Sequence, residues 1–304
     1  ASRRAESLIY AIFCVYENIA TSTAMLFSVE AEMNKSRIPI GVMFNTDRMP
    51  AASLAQFAKT LESIGVDTLW VPELFGREPF ATAAYLLTHT ERLRVATGIA
   101  NVYARDAVAA AAGARTLAEF SDGRFMLGLG VSNAGLAKAR GHAWDPPVEK
   151  LVSYVEAVRV AQISVPGSHE AEIHVAAHGP KMLEAVHQLV DGVSTFLQTP
   201  DHTAVVRTRI PESVSLNVTQ MCLMCEDPVE ARRLARRALG FYLELDYYHR
   251  AWRTLGFEDS DFVDGGSDRL IDALVVVIAN RIVVAVITHR ASQPVLDSQH
   301  NSGS

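Results

Sequence analysis

Cysteine is scarce in this chain. Its three residues, Cys14, Cys222 and Cys225, are too few and too odd in number for a disulfide framework, which points to a reducing compartment, the cytoplasm. Cys222 and Cys225 form a C-x-x-C inside SLNVTQMCLMC, but alternation along a strand turns them to opposite faces. No second pair is present to complete a tetrahedral zinc site. An excess of one charge sign is missing too. The net charge of −6 comes from 28 Lys and Arg intermixed with 34 Asp and Glu, so there is no sustained cationic face for a phosphate backbone, and nucleic acid is excluded as a partner. Long apolar runs are absent as well. LIYAIFCVY, behind Arg3 and Arg4, is too short to span a bilayer. It is interrupted by Glu17 and Asn18 and reads as a non-secreted extension, with no membrane role. Finally, no His-x-His marks the first strand, as metal-dependent barrel hydrolases require, so no metal is expected.

What is present is a chain of 304 residues that is 49% apolar, enough to bury one large core as a single domain. From Arg37 onward, β-rich runs alternate with helical patterns, the signature of βαβ units and a parallel sheet. RIPIGVMF is the first strand. Leu54, Phe57, Ala58 and Leu61 then repeat at helical spacing, and Gly65 stops that helix. DTLWVPE, RLRVATGIANV and RFMLGLGVS follow as strands two to four, separated by PFATAAYLLTHT and DAVAAAAGARTLAEF. Pro146 and Pro147 start a helix with Leu151, Tyr154, Val155 and Val158 on one face. EIHVAA, GVSTFL and SLNVTQMCLM supply strands five to seven, and helices open near Pro180, Pro200 and Pro228. Seven strands in this order leave a closed eightfold barrel or an open doubly wound sheet. The eighth strand decides, with candidates at 275–279 and 281–288; the polar tail from 291 to 304 is expected to be disordered.

In a barrel, reactive residues lie where strands meet the following loops. Few groups at these tips titrate near neutrality, which argues against hydrolysis by an acid/base pair and suits chemistry performed by a bound cofactor. In GLGVSNAG, the glycines at 128, 130 and 135 let backbone approach a flat ring or a phosphate, or serve only tight packing. In AAHGPKML, Gly179 permits a sharp turn, Pro180 takes the first helical position, and free N–H groups with Lys181 can face an anion. The alternative is an ordinary turn with a solvated lysine. His142, in RGHAWDPP, either enters the cleft as an acid or caps the next segment. Glu73 at the end of strand two either faces a cofactor ring or pairs with Arg77.

These stretches carry a family resemblance. GVMF, LWVPELFGREPF, VATGIANVYARD, SDGRFMLGLGVSNAG, AAHGPKMLE, DGVSTFLQTPDHT, FYLELDYYHRAWRTLGF and DGGSDRLIDALV, spread over about Arg37 to Val275, resemble the luciferase-like monooxygenase superfamily, closest to its coenzyme F420 (deazaflavin)-dependent oxidoreductases. The resemblance implies an α/β fold, a (β/α)8 TIM barrel over 37–290 with an atypical or incomplete eighth βα unit, and residues 1–36 as an extension outside the family pattern. It implies that Gly179, Pro180, Lys181 and Met182 hold a cofactor phosphate. Asn101, Val102 and Tyr103 would form a bulge of strand three behind the ring. Ser132 and Asn133 would line the channel, with Phe44 and Gly130 completing the cofactor-facing set. The implied activity is hydride transfer between a reduced deazaflavin and a small organic substrate. FMN in its place would make a monooxygenase, and a non-catalytic barrel acting as a binding or partner subunit is the reading from another class. Relatives carry a histidine beside the acidic residue of strand two; Leu74 stands there, leaving Glu73 and His142 as the candidate catalytic groups. A homodimer is the expected assembly.

Overall fold

A computed structural model describes the backbone of residues 8–14, and residues 39–167 and 169–278. The candidate strand at 281–288 and the tail from 291 lie outside the described residues. The chain order is β1 (Leu8–Cys14), β2 (Ile40–Met43), α1 (Ala51–Ser63), β3 (Thr68–Val71), α2 (Pro79–Thr88), β4 (Arg94–Thr97), β5 (Ala100–Asn101), α3 (Ala107–Phe120) and β6 (Phe125–Gly130). It continues with α4 (Ala134–Ala139), α5 (Pro147–Val160), β7 (Glu172–Ala176), α6 (Pro180–Val186), β8 (Gly192–Phe196), α7 (Pro200–Arg209), β9 (Ser215–Met224) and α8 (Pro228–Leu239). The last elements are α9 (Asp246–Arg253), α10 (Asp268–Leu274) and β10 (Val275–Ile278).

The sheet is parallel throughout and runs β1-β2-β3-β4-β6-β7-β8-β9, with β1 also paired to β9. This settles the choice between barrel and open sheet in favour of the barrel. The strand that joins the two ends differs from the expectation. Leu8–Cys14 pairs with β2, Tyr10 opposite Ile40, and with β9, Leu8 opposite Leu216. Val275–Ile278 is a strand, as expected, but it pairs with Met221–Met224 of β9. Met221 and Cys222 have partners in both β1 and β10, so those two strands lie on opposite edges of β9. The physical reason is that LIYAIFC is as apolar and β-prone as the C-terminal run and can fill the gap between β2 and β9.

Side chains divide by strand alternation. Leu69, Val71, Val95, Phe125, Leu127, Ile173, Val175 and Val193 face the helices and pack with Leu54, Ala58 and Leu61 of α1 and Leu151, Tyr154, Val155 and Val158 of α5. Trp70, Ala96 and Met126 fill the interior with Met43 against them. A second cluster, Leu243, Tyr248, Trp252, Phe262 and Leu270 with Leu197 and Met221, roofs the ends of β8 and β9. Cys222 is buried, its Sγ donating to the Gln220 carbonyl, and Cys225 is half-buried.

Candidate functional site

The mouth of the barrel is shaped by a break in its third β-run. The ladder between β4 and β6 pairs Val95 with Phe125 and Ala96 with Met126, then resumes with Ala100 opposite Leu129 and Asn101 opposite Gly130. Four steps on one side match three on the other, so one residue is extra: a β-bulge. Its centre is Gly98–Ile99, joined by a cis peptide. Asn101, Val102 and Tyr103, the residues assigned to this bulge from the sequence, lie just after it and are buried. An isolated glycine inside an apolar strand, as in VATGIANV, is the signal that could have located it.

The bulge is held from both sides. The Thr97 hydroxyl donates to the Gly128 carbonyl at 2.7 Å and accepts the Gly128 N–H at 2.9 Å, replacing the ladder bonds lost there. A Cβ on Gly128 would stand 1.9 Å from the Thr97 carbonyl oxygen, and one on Gly130 would stand 2.8 Å from Ile99 Cγ1. Both positions therefore require glycine, and Ile99 lies across Gly130. On the outer side Glu73 accepts the Asn101 N–H at 2.8 Å and binds Arg105 through two bonds of 2.9 and 2.7 Å. The Glu73 and Arg105 side chains are 7% and 15% exposed. The Arg105 carbonyl accepts the Tyr154 hydroxyl, and burial pushes that phenol up to about 12.

Both Glu73 oxygens are engaged by Arg105, while Arg77 binds the Thr46 and Met49 carbonyls. His142 is exposed, its ring 5.8 Å from that of Tyr103. The Tyr103 hydroxyl accepts the Asp145 N–H and its ring stacks on Trp144. The Phe44 ring packs on Phe57 of α1 at 4.9 Å, on the helix side, because Gly41 and Met43 take the inward positions of β2. Ser132 sits at φ 61° at the tip of β6, a costly conformation for a residue with a side chain. Asn133 caps α4 by accepting the Leu136 N–H.

At the tip of β7, Gly179 precedes Pro180, Lys181 and Met182. Among the described residues no side chain caps α6, and none lies within 4 Å of where a Gly179 Cβ would stand. Lys181 is exposed, while Met182 packs onto the core. Open N–H groups beside a free cation and an unhindered glycine fit an anionic group such as a phosphate. Two further residues here were given no role from the sequence. His178 has an unpartnered, buried Nδ1, and Gln198 an unpartnered, buried Oε1. Burial and the neighbouring His202 push the His178 imidazole down to about 4.

Below the mouth, His174 accounts for the other histidine of β7. Its Nδ1 accepts from Asn217 at 2.6 Å and its Nε2–H donates to Glu172 at 3.1 Å. That hydrogen bond, with Arg94 beside it, pulls the Glu172 carboxyl down to about 2.

Comparison with known proteins gives this architecture a family. The chain is 28% identical over 162 residues to a 5,10-methylenetetrahydromethanopterin reductase of Methanolobus tindarius, covering 47% of this chain and 50% of that protein. It spans about half the length of the curated relatives it matches first. Among solved structures it resembles the coenzyme F420-dependent tetrahydromethanopterin reductase of Methanopyrus kandleri, with a TM-score of 0.61 at 14% identity over 79% of this chain and 86% of that one. It also resembles the oxygenating constituent of 3,6-diketocamphane monooxygenase from Pseudomonas putida, solved with FMN, with a TM-score of 0.55 at 16% identity over 78% and 83%. The family model of the luciferase-like monooxygenases matches residues 35–269; the chain belongs to that family.

Proposed function

We propose that the chain is an oxidoreductase that uses coenzyme F420 for hydride transfer to or from a small organic substrate at the C-terminal mouth of its barrel. The observation that carries this reading is the coincidence, on one rim, of a braced backbone bulge at Gly98–Ile99 and an uncapped, lysine-flanked helix start at Gly179–Lys181. When bound, a deazaflavin supplies two-electron hydride chemistry.

The protein's part is binding and orientation. The α6 N–H groups and Lys181 hold the phosphate, Lys181 as a point charge. Gly98 and Ile99, both half-buried, offer a flat backbone surface for the ring, and Glu73 with Arg105 keeps that surface still. Trp70, Met126 and His174 are buried beneath the mouth, and a fixed distance between ring and substrate then does the catalytic work. With Glu73 locked and His142 exposed, the site is suited to hydride transfer more than to general acid catalysis.

FMN is the second reading, supported by the FMN-bound monooxygenase of the same fold, since its phosphate suits the same cradle. The enzyme is read as cytoplasmic and homodimeric, with residues 37–290 as the catalytic domain, completed by the strand Leu8–Cys14. Titrating the full chain with F420 and with FMN, followed by fluorescence quenching, tests the reading. Saturable binding, tighter for F420, is expected. No saturable binding of either returns the protein to a non-catalytic barrel serving as a binding or partner subunit.

A further inference from the structure

The mechanism above leaves two buried polar atoms at neighbouring strand tips without employment. β7 and β8 run in register, Ala176 opposite Ser194, and their tips carry His178 and Gln198. The Gln198 amide donates its Nε2–H to the Phe196 carbonyl at 3.3 Å. A carbonyl accepts only from the NH2 end, so the amide orientation is set and the free atom is the acceptor Oε1. Burying such an acceptor without a partner is costly, and an orphaned atom of this kind calls for an occupant.

His178 is its neighbour in kind. Its carbonyl accepts from His202 Nε2 at 2.8 Å, its ring stands edge-on to Tyr248 at 5.9 Å, and its Nδ1 has no partner. A run of rings continues from His178 and Tyr248: Tyr248 against Tyr242 at 5.6 Å and Tyr242 against Phe196 at 5.2 Å, Phe196 being the residue whose carbonyl holds the Gln198 amide. A neutral imidazole offers one N–H, and the glutamine offers one carbonyl oxygen. Together these are the complement of a flat heterocycle whose edge carries a carbonyl beside a ring N–H.

We propose that Gln198 and His178 form a recognition pair for the lactam edge of the planar redox ring, Gln198 Oε1 accepting the ring N–H and the His178 N–H donating to the adjacent carbonyl. The proposal rests on the reading of the rim as a deazaflavin or flavin site and adds which side chains read the ring and by which edge. Its low-pH form follows too: the His178 imidazole is held neutral by burial, so it binds a carbonyl without bringing a charge into the pocket.

The test uses the full chain and two ligand pairs, coenzyme F420 with its N3-methyl derivative and FMN with its N3-methyl derivative, each titrated by fluorescence into the unaltered protein and into Gln198→Leu. Methylation removes the ring N–H and needs no protein variant, so the test survives a variant that fails to fold. On the unaltered protein, methylation is expected to weaken binding about tenfold, the loss of one buried hydrogen bond. On Gln198→Leu, the unmethylated ring should already bind about tenfold weaker, and methylation should cost nothing further. Equal binding of methylated and unmethylated rings by the unaltered protein overturns the pair, leaves the cofactor reading standing, and assigns the orphaned atoms to an ordered water only. Equal penalties for methylation in both proteins overturn the role of Gln198. Saturation by neither unmethylated ligand overturns the cofactor reading and the pair together.

Discussion

Three residues at the rim separate contact from support. Lys181 is exposed at the start of α6 and touches no core side chain, so Lys181→Ala should weaken cofactor binding about tenfold, the size of one charge-assisted contact, with the melting temperature unchanged. Equal affinity in the variant removes the phosphate assignment. Glu73 is the reverse case. Glu73→Gln removes the buried carboxylate from Arg105 and leaves it the more exposed Glu78 at 3.1 Å, and should cost about 2 kcal/mol of stability, read as a lower denaturant midpoint; a change below measurement contradicts the bracing role. His178 carries the pH prediction. Its folded value of about 4 lies below the unfolded value near ~6.5, so the unfolded chain binds more protons between these limits. Stability is therefore full above about 6.5 and falls as pH drops toward about 4. His178→Gln should flatten the melting temperature over that window, and an unchanged slope contradicts the burial of a neutral imidazole.

The bulge is a matter of the element, since no single residue makes it. β4 leaves β6 after Ala96, the Thr97 hydroxyl bridges the gap, and β5 takes the ladder up again at Ala100. Gly128 is the point where this geometry leaves no slack. Gly128→Ala forces a Cβ against the Thr97 carbonyl oxygen, a backbone atom that cannot swing away. It should cost about 3 kcal/mol, seen in chemical unfolding; a neutral substitution would mean that β4 and β6 are not so close. The alternation of glycines with apolar residues in RFMLGLGVS made the strand legible but not the reason for each glycine, because the partner of Gly128 is 31 residues away. The same limit explains Glu73. Its local neighbours suggested Arg77, whereas the partner, Arg105, arrives from the β5–α3 connection, a pairing that only the closed sheet creates. The one-residue phase at the end of β2 is set by sheet pairing too: Met43 is the inward residue and Phe44 packs on the helix side.

For the whole molecule, the parallel order was readable because most βα units carry their own punctuation: Pro79, Pro147, Pro180, Pro200 and Pro228 at helix starts, with apolar stripes at helical spacing in α1 and α5. Ring closure was not readable. Two apolar runs of equal strand character both pair with β9, on opposite edges, and only the long-range pairing shows which of them also joins β2. Removal of residues 1–14 should expose the edges of β2 and β9 and produce association through them, visible in sedimentation; a monodisperse product of unchanged stability contradicts the closure by β1. The central claim is that the bulge and the start of α6 together hold one planar cofactor by ring and tail. A crystal structure of the full chain soaked with coenzyme F420 tests it most directly. The account predicts the ring against Gly98–Ile99 and the phosphate on the N–H groups of α6 beside Lys181; a ring bound elsewhere, or a phosphate far from Lys181, contradicts it.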